Sequence, residues 1–277
     1  MAKNLISRLR SWSGEKPAKE SAAAKLAYPV KLGVLAIMKN EAINLDEWVE
    51  HYLWMGAGKI WLIDNGSTDD TVAKAQVWVA KGLVELVEYP ARHQQVQHYR
   101  TAFRHFDIAR QCEWLLVADL DEFWFCPGGD SLTQALNEFD RYDVIYSNWA
   151  MFGSGGLIDQ PDSLREGFTL RRAGVAGHNE TKYICRSSVL NTPSAIGIHK
   201  VRGGDSARTV SDTQRFQLNH YPIQSEAFFR EIKMTRGASD TAAHEFIRDM
   251  DYFRRYDHGC DQEDRQLADL VAAAGAY

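Results

Sequence analysis

Cysteine is scarce in this sequence: there are four, Cys112, Cys126, Cys185 and Cys260, in 277 residues. They lie far apart and form no Cys-x-x-Cys pair. That argues against a zinc site and a disulfide framework, and it suits a reducing, cytoplasmic setting. Long apolar runs are also missing, and none reaches the length that spans a bilayer. The N-terminus lacks the apolar centre of a signal peptide. Positive charge is not in excess. The formal net charge is −5 and no basic stripe with interleaved aromatics stands out, so no nucleic-acid partner is expected.

What is present is a chain that is 45% hydrophobic, enough for one large domain or two small ones with a substantial core. Residues 1–28 form a basic leader rich in Lys, Arg, Ser and Ala, with Pro17 and Pro29 as breakers. Leu5, Ile6, Leu9 and Trp12 fall on one side of a short helix, with Lys3, Arg8 and Arg10 on the other. One reading is a peripheral contact of residues 1–12 with an anionic surface at the inner face of the membrane. The other is a leader that docks on the domain or has no fixed structure. The second is favoured, because a single short helix binds membrane weakly.

From Lys31 to Asn148 strand and helix patterns alternate. Strands are predicted at Lys31–Ile37, Lys59–Ile63, Leu83–Glu88, Trp114–Ala118 and Asp143–Asn148. A capping box of Asn44 and Glu47 opens a helix with Leu45, Trp48, Val49, Tyr52 and Leu53 on one face. Ser67 or Thr68 caps a second helix that stops at Gly82, and Gln95–Arg110 reads as a third. Ser131 and Gln134 make another capping box, ahead of Leu132, Ala135, Leu136 and Phe139. Helices return at Ser225–Arg236, at Thr241–Tyr256 and from Asp261. Such alternation predicts a mostly parallel sheet flanked by helices.

The most telling stretch is Asp119-Leu120-Asp121, which follows the apolar run Trp114–Ala118 and precedes Glu122. Three carboxylates at a strand end repel one another unless a cation sits among them, and hard oxygen ligands suit Mg2+ or Mn2+. On a continuing strand Asp119 and Asp121 would share a face. Lys39-Asn40-Glu41 and Asp64-Asn65 also fall just after predicted strands. Ligands of such sheets sit beyond the carboxyl ends of the strands, so the three clusters converge on one edge. Asp and Glu can accept from a base N–H or a ribose hydroxyl, and Asn can do both. This predicts a nucleotide pocket at Lys39, Asn40, Glu41 and Asp64.

Residues 38–71, MKNEAINLDEWVEHYLWMGAGKIWLIDNGSTDDT, resemble the opening of a GT-A glycosyltransferase of the group around glycosyltransferase family 92 and its bacterial family-2-like relatives. VADLDEFWF is similar to that group's DxD segment. WAMFGSGG, GFTLRR, KYICRSSV and NHYPIQSEAFFREIKMTRG follow in the family's order, so the resemblance runs from Val34 to Gly237. It implies a GT-A fold: a Rossmann-like, mostly parallel sheet with a smaller acceptor-side region and C-terminal helices. The expected division is residues 29–150 as the nucleotide-sugar-binding half and 151–277 as the acceptor half.

The resemblance further implies a transferase that moves a sugar from a nucleotide donor, UDP by analogy, with Mn2+ or Mg2+ on the diphosphate. The acceptor would be a growing polysaccharide, a lipid-linked glycan or a protein. Asp121 would bind the metal, and Asp119 would lie nearer the ribose and metal waters. Glu122 would hold a metal-bound water or a neighbouring donor. His199 and His220 are candidates for a late His ligand. Lys233 and Arg236 share a helix face suited to phosphate. Gln95 and Arg100 precede the DxD strand and could reach the donor.

An inverting mechanism needs a carboxylate base. Glu166 and Glu180 are the candidates, with Asp159 and Asp162 behind them; a retaining enzyme needs none. Trp149 and Phe152 could stack on a sugar, and Gly153–Gly156 could admit an acceptor. A nucleotidyltransferase or a metal-dependent phosphohydrolase also places acids at strand ends. A nucleotidyltransferase usually has a glycine-rich basic loop after its first strand, whereas Met38–Glu41 contains no glycine. A carbohydrate-binding protein using Trp149 and Phe152 is the non-catalytic alternative.

Overall fold

The computed structural model describes residues 27–175, 180–190, 192–237, 240, 242 and 248–275. The leader's predicted helix therefore lies outside the described residues. In chain order the elements are β1 (Val30–Met38), α1 (Leu45–Trp54), β2 (Lys59–Asp64), α2 (Thr71–Ala80), β3 (Val84–Glu88), α3 (Gln95–His105), α4 (Ile108–Gln111) and β4 (Cys112–Val117). Then come β5 (Glu122–Phe125), α5 (Leu132–Ala135), β6 (Val144–Met151), α6 (Leu164–Gly167), β7 (Leu170–Arg172), β8 (Thr181–Arg186), β9 (Thr209–Ser211) and β10 (Gln217–His220). The last are α7 (Glu226–Phe228), running into a π-helix over Phe229–Lys233, then α8 (Met250–Asp257), β11 (Cys260–Glu263) and α9 (Gln266–Ala274).

The main sheet runs β3-β2-β1-β4-β8-β6-β10-β5. Its first four strands are parallel. β8 is antiparallel to both its neighbours, β4 and β6. β10 runs parallel to β6, and β5 closes the edge antiparallel to β10. β9 pairs with the opening residues of β6, while β7 and β11 form a separate ribbon. The predicted mostly parallel α/β sheet is present, with antiparallel strands added on the β8 side.

The period-2 alternation of β1 splits the core between the two faces of the sheet. Leu32, Val34, Ala36 and Met38 pack with Leu45, Trp48, Val49 and Tyr52 of α1. Leu35 and Ile37 pack on the other side with Tyr99, Ala102 and Phe103 of α3. Gly33 is required by this packing, because a Cβ there would lie 2.3 Å from the Trp61 ring.

Several local expectations give way to tertiary contacts. The helix predicted over 95–110 breaks into α3 and α4 at Asp107, whose φ is +49°, a conformation Asp tolerates. Asn44 makes no side-chain cap. Its amide donates instead to Glu41 Oε2 at 3.2 Å and Gln224 Oε1 at 3.3 Å. Glu47 accepts from Ser163 Oγ, from the Leu164 N–H and from Arg165 Nε. α2 starts at Thr71, because Ser67 and Thr68 are engaged by Asp64 and Asn40. The Ser131–Gln134 capping box is present, but the helix tightens to 3-10 geometry over Leu136–Phe139. The helix predicted over 225–236 is a short α-turn plus the π-helix. The one predicted over 241–256 is α8 within the described residues. β4 ends at Val117, and Asp119–Asp121 form a turn in which the Glu122 N–H donates to the Asp119 carbonyl. The two aspartates therefore do not share the face of a continuing strand.

Candidate active site

A cavity of about 360 Å³ opens at the carboxyl ends of β1, β2 and β4, where sheets of this kind place ligands. Lys39 and Glu41 from the β1–α1 loop line it, with Asn65 after β2 and Asp119 and Asp121 after β4. The expected His199, His220, Lys233 and Arg236 line it too, and Trp149, Arg248, Tyr252 and Tyr256 extend the wall. Residues widely separated in the chain meet here because β6, β8 and β10 continue the sheet past β4.

The acidic turn is neutralised from two sides. Lys182 of β8 is fully buried, with Nζ 2.8 Å from Asp119 Oδ2 and 3.4 Å from Glu122 Oε2. Asp119 Oδ1 also accepts from Gln95 Nε2 and Tyr99 OH, each at 3.4 Å. Glu122 lies behind the cavity wall. It accepts from Trp149 Nε1 and from the Asp119 N–H, both at 2.9 Å. On the other side, Lys233 of the π-helix forms a buried ion pair with Asp121 Oδ2. The remaining oxygen, Asp121 Oδ1, lies 3.7 Å from His220 Nε2.

These contacts set the charge states. Burial opposes ionisation of Asp121, but Lys233, His220 and Arg236 together outweigh it and the carboxyl is held below its ordinary range. Burial likewise opposes ionisation of Asp119, and Lys182 brings it below its usual value. Burial raises Glu122 to about 8 against the pull of Lys182. The ammonium of Lys182 is raised despite its burial, because Asp119 and Glu122 face it. Burial pushes His220 down to about 4, so its imidazole is neutral near pH 7, the form that ligates metals. His199 is lowered too, first by burial and then by Lys182. Its Nδ1–H donates to the Thr181 carbonyl at 3.2 Å, which leaves the Nε2 lone pair available.

A basic wall faces the acids. Arg236 is fixed by Glu41 Oε1 and donates to the Lys39 carbonyl at 3.2 Å. Lys233, Arg248 and Lys39 lie on the same cavity. Burial lowers Lys233, and the neighbouring Arg236 lowers it further. Trp149 lies 4.2 Å from the His220 ring, centroid to centroid, and meets His199 edge-on at 5.4 Å.

Other expected residues stand elsewhere. Asn40, with φ +52°, and Asp64 lie behind the wall and join two loops. The Asn40 Oδ1 accepts from the Thr68 N–H at 2.8 Å, and Asp64 Oδ2 accepts from the N–H groups of Gly66 and Ser67. Glu166 is exposed in the first turn of α6, and Glu180 precedes β8; neither lines the cavity. Arg100 donates to the Ser194 carbonyl. Phe152 is buried against Tyr221. Asn65 lines the cavity in the strand-end cluster expected from the sequence, although Asp64 was the residue of that pair assigned to the pocket. Lys182 and Arg248 were not singled out from the sequence and carry no local signal.

Among the described residues no three His, Cys, Asp or Glu side chains converge as a closed metal cage. Asp121 Oδ1 and His220 Nε2 do form an open oxygen–nitrogen pair on the cavity. A cation that takes its other ligands from phosphate and water fits such a pair.

The model of the family described as glycosyltransferase family 92 matches residues 35–264. A glycosyltransferase family 92 protein of Ricinus communis is 26% identical over 213 residues, covering 73% of this chain and 37% of the relative. One from Arabidopsis thaliana is 23% identical over 274 residues, covering 87% and 46%. This chain thus spans less than half the length of these relatives. Among solved structures, S. aureus TarS 1-349 in complex with UDP-GlcNAc is similar, with a TM-score of 0.46 and 14% identity over 72% of this chain and 60% of that one. GalNAc-T7 with UDP, GalNAc and Mn2+ has a TM-score of 0.42 and 13% identity over 72% and 45%. The family match takes in every cavity residue from Ile37 to Tyr256, and the chain belongs to glycosyltransferase family 92.

Proposed function

We propose that this chain transfers a sugar from a nucleotide-sugar donor, a UDP-sugar, to a hydroxyl of a glycan, lipid-linked or protein acceptor. One observation carries the reading. The strand-end cavity sets Asp121 and His220 against a wall of Lys39, Lys233, Arg236 and Arg248. That arrangement suits a diphosphate, which needs positive charge on its oxygens as it leaves. Asp121 and His220 would hold Mn2+ or Mg2+, which when bound supplies Lewis-acid neutralisation of the diphosphate.

The chain's own groups do the remaining work. Arg236, braced by Glu41, presents a fixed guanidinium to phosphate oxygens. Lys39 and Glu41 border the end of the cavity where the nucleoside would lie, and Asn40 and Asp64 shape that end by tying its loops. Trp149, held by Glu122, keeps the imidazole of His220 in place. Asp119, pinned by Lys182, Gln95 and Tyr99, would lie toward the ribose. Glu166 and Glu180 stand off the cavity, so neither is placed to act as the carboxylate base that an inverting course would need.

Calorimetric titration of UDP-sugars with and without Mn2+ tests this. Metal-dependent binding is expected, and Asp121→Ala is expected to abolish it along with transfer. No metal-dependent binding of any nucleotide sugar would remove the proposal.

A further inference from the structure

Two buried lysines neutralise the acidic turn, and they are not equivalent. Lys182 has no exposed surface, comes from the middle of the sheet and is braced by two carboxylates. It is a permanent counter-charge. Lys233 is the last residue of the π-helix and lies on the cavity wall. Such helices occur often at functional sites. Among the described residues Asp121 is the one acceptor its ammonium has. Arg236, a like charge, is its neighbour and is itself held by Glu41. Lys233 thus holds one oxygen of the carboxylate whose other oxygen a divalent cation would take with His220, and it is repelled from behind.

We propose that Lys233 is an exchangeable counter-ion: it releases Asp121 when metal and nucleotide diphosphate arrive together, and re-pairs with the phosphate oxygens. The proposal rests on the donor reading above and deepens it. A cation approaching Asp121 and His220 alone meets an ammonium already in place, so metal binds poorly by itself. A diphosphate alone meets a lysine already paired, so it gains less than its charge promises. Arriving together, each removes the other's obstacle. The ammonium moves from one anion to another without leaving the cavity, and Asp121 exchanges it for the metal. Linkage makes the effect reciprocal: UDP strengthens metal binding by the same factor by which metal strengthens UDP binding.

The experiment measures Mn2+ binding by the loss of the free-ion paramagnetic resonance signal, with and without UDP, and UDP binding by calorimetry, with and without Mn2+. In the wild type UDP is expected to tighten Mn2+ by about tenfold or more. Lys233→Met is expected to bind Mn2+ alone about tenfold tighter than wild type, to bind metal-free UDP more weakly and to lose most of the coupling. Lys233→Arg is expected to restore wild-type weakness toward Mn2+ alone. A second arm does not depend on the Met variant folding. Asp121→Asn frees Lys233, so its metal-free UDP affinity is expected to exceed that of wild type.

Unchanged or weaker Mn2+ binding by Lys233→Met overturns the exchange, as does an Asp121→Asn protein with no gain for UDP. In either case wild-type ternary binding would leave the donor reading standing. Absence of any Mn2+–UDP coupling in the wild type overturns both.

Discussion

Lys182 is a charged side chain with no exposed surface, 2.8 Å from one carboxylate of the acidic turn and 3.4 Å from another. Removing one partner of a buried pair leaves the other charge without compensation, which costs about 3–5 kcal/mol. Lys182→Met is therefore expected to lose stability on that scale in urea unfolding. Adding Asp119→Asn to it is expected to cost less than the sum of the two single changes, because the groups share one interaction. Strict additivity would show that the pair is not coupled. At this scale the sequence was uneven. Asp121 was legible because a carboxylate directly after an apolar run has few reasons to be there. Lys182 was not: within Thr181–Arg186 it reads as one more strand residue, and its acidic partners lie about sixty positions earlier. Asn40 and Asp64 were legible as strand-end polar residues. Sequence alone could not tell that both spend their oxygens on loop N–H groups, since that depends on how the β1–α1 and β2–α2 loops meet.

At the scale of the element, apolar periodicity located the strands, and polar signals at helix ends misled where distant partners competed. Glu47 was read as half of a capping box, yet it holds Ser163 and Arg165. The site itself depends on an element ending early. β4 stops at Val117 and β5 leaves to pair with β10, so the acidic turn lies between two parts of the sheet. α1 is fastened to β5 by His51, whose Nε2–H donates to the Trp124 carbonyl at 2.8 Å. Its Nδ1 has no hydrogen-bond partner among the described residues. Burial, then the charge of Arg165, pushes this imidazole down to about 3. An unfolded chain titrates the same group near about 6.5. As pH falls below that value the unfolded state takes up a proton the folded state refuses. Stability is therefore full above about pH 6.5 and declines toward pH 3, at about 1.4 kcal/mol per unit. By pH 5 the His51 share of the loss is about 2 kcal/mol. His51→Gln keeps an N–H donor and cannot titrate. Urea unfolding at pH 7.5 and pH 5 is expected to show a smaller acid loss for this variant than for wild type. Equal losses would mean that His51 is not the group responsible.

Across the whole molecule, the cavity collects side chains from Ile37 to Tyr256 onto one edge of a single sheet. The net charge of −5 gave no sign of a basic wall, because Lys39, Lys233, Arg236 and Arg248 become neighbours only when the chain folds. Helix-face spacing did suit Lys233 and Arg236 to phosphate, but nothing read from the sequence anticipated that β8 and β10 would extend the sheet past β4. A ligand held by residues so far apart in the chain couples to global unfolding rather than to one loop, because the unfolded chain has no such site. Saturation to about a hundred times Kd then adds about 2.7 kcal/mol to stability. For a chain of this size 1 kcal/mol moves Tm by about 2–4 °C, so Mn2+ and UDP together are expected to raise Tm by about 5–10 °C. Asp121→Asn is expected to melt at the same temperature with UDP whether or not Mn2+ is added, since the carboxylate that would hold the ion with His220 is lost. A wild-type protein whose melting is unmoved by the two ligands together would mean that the acid and basic walls do not close on a common diphosphate.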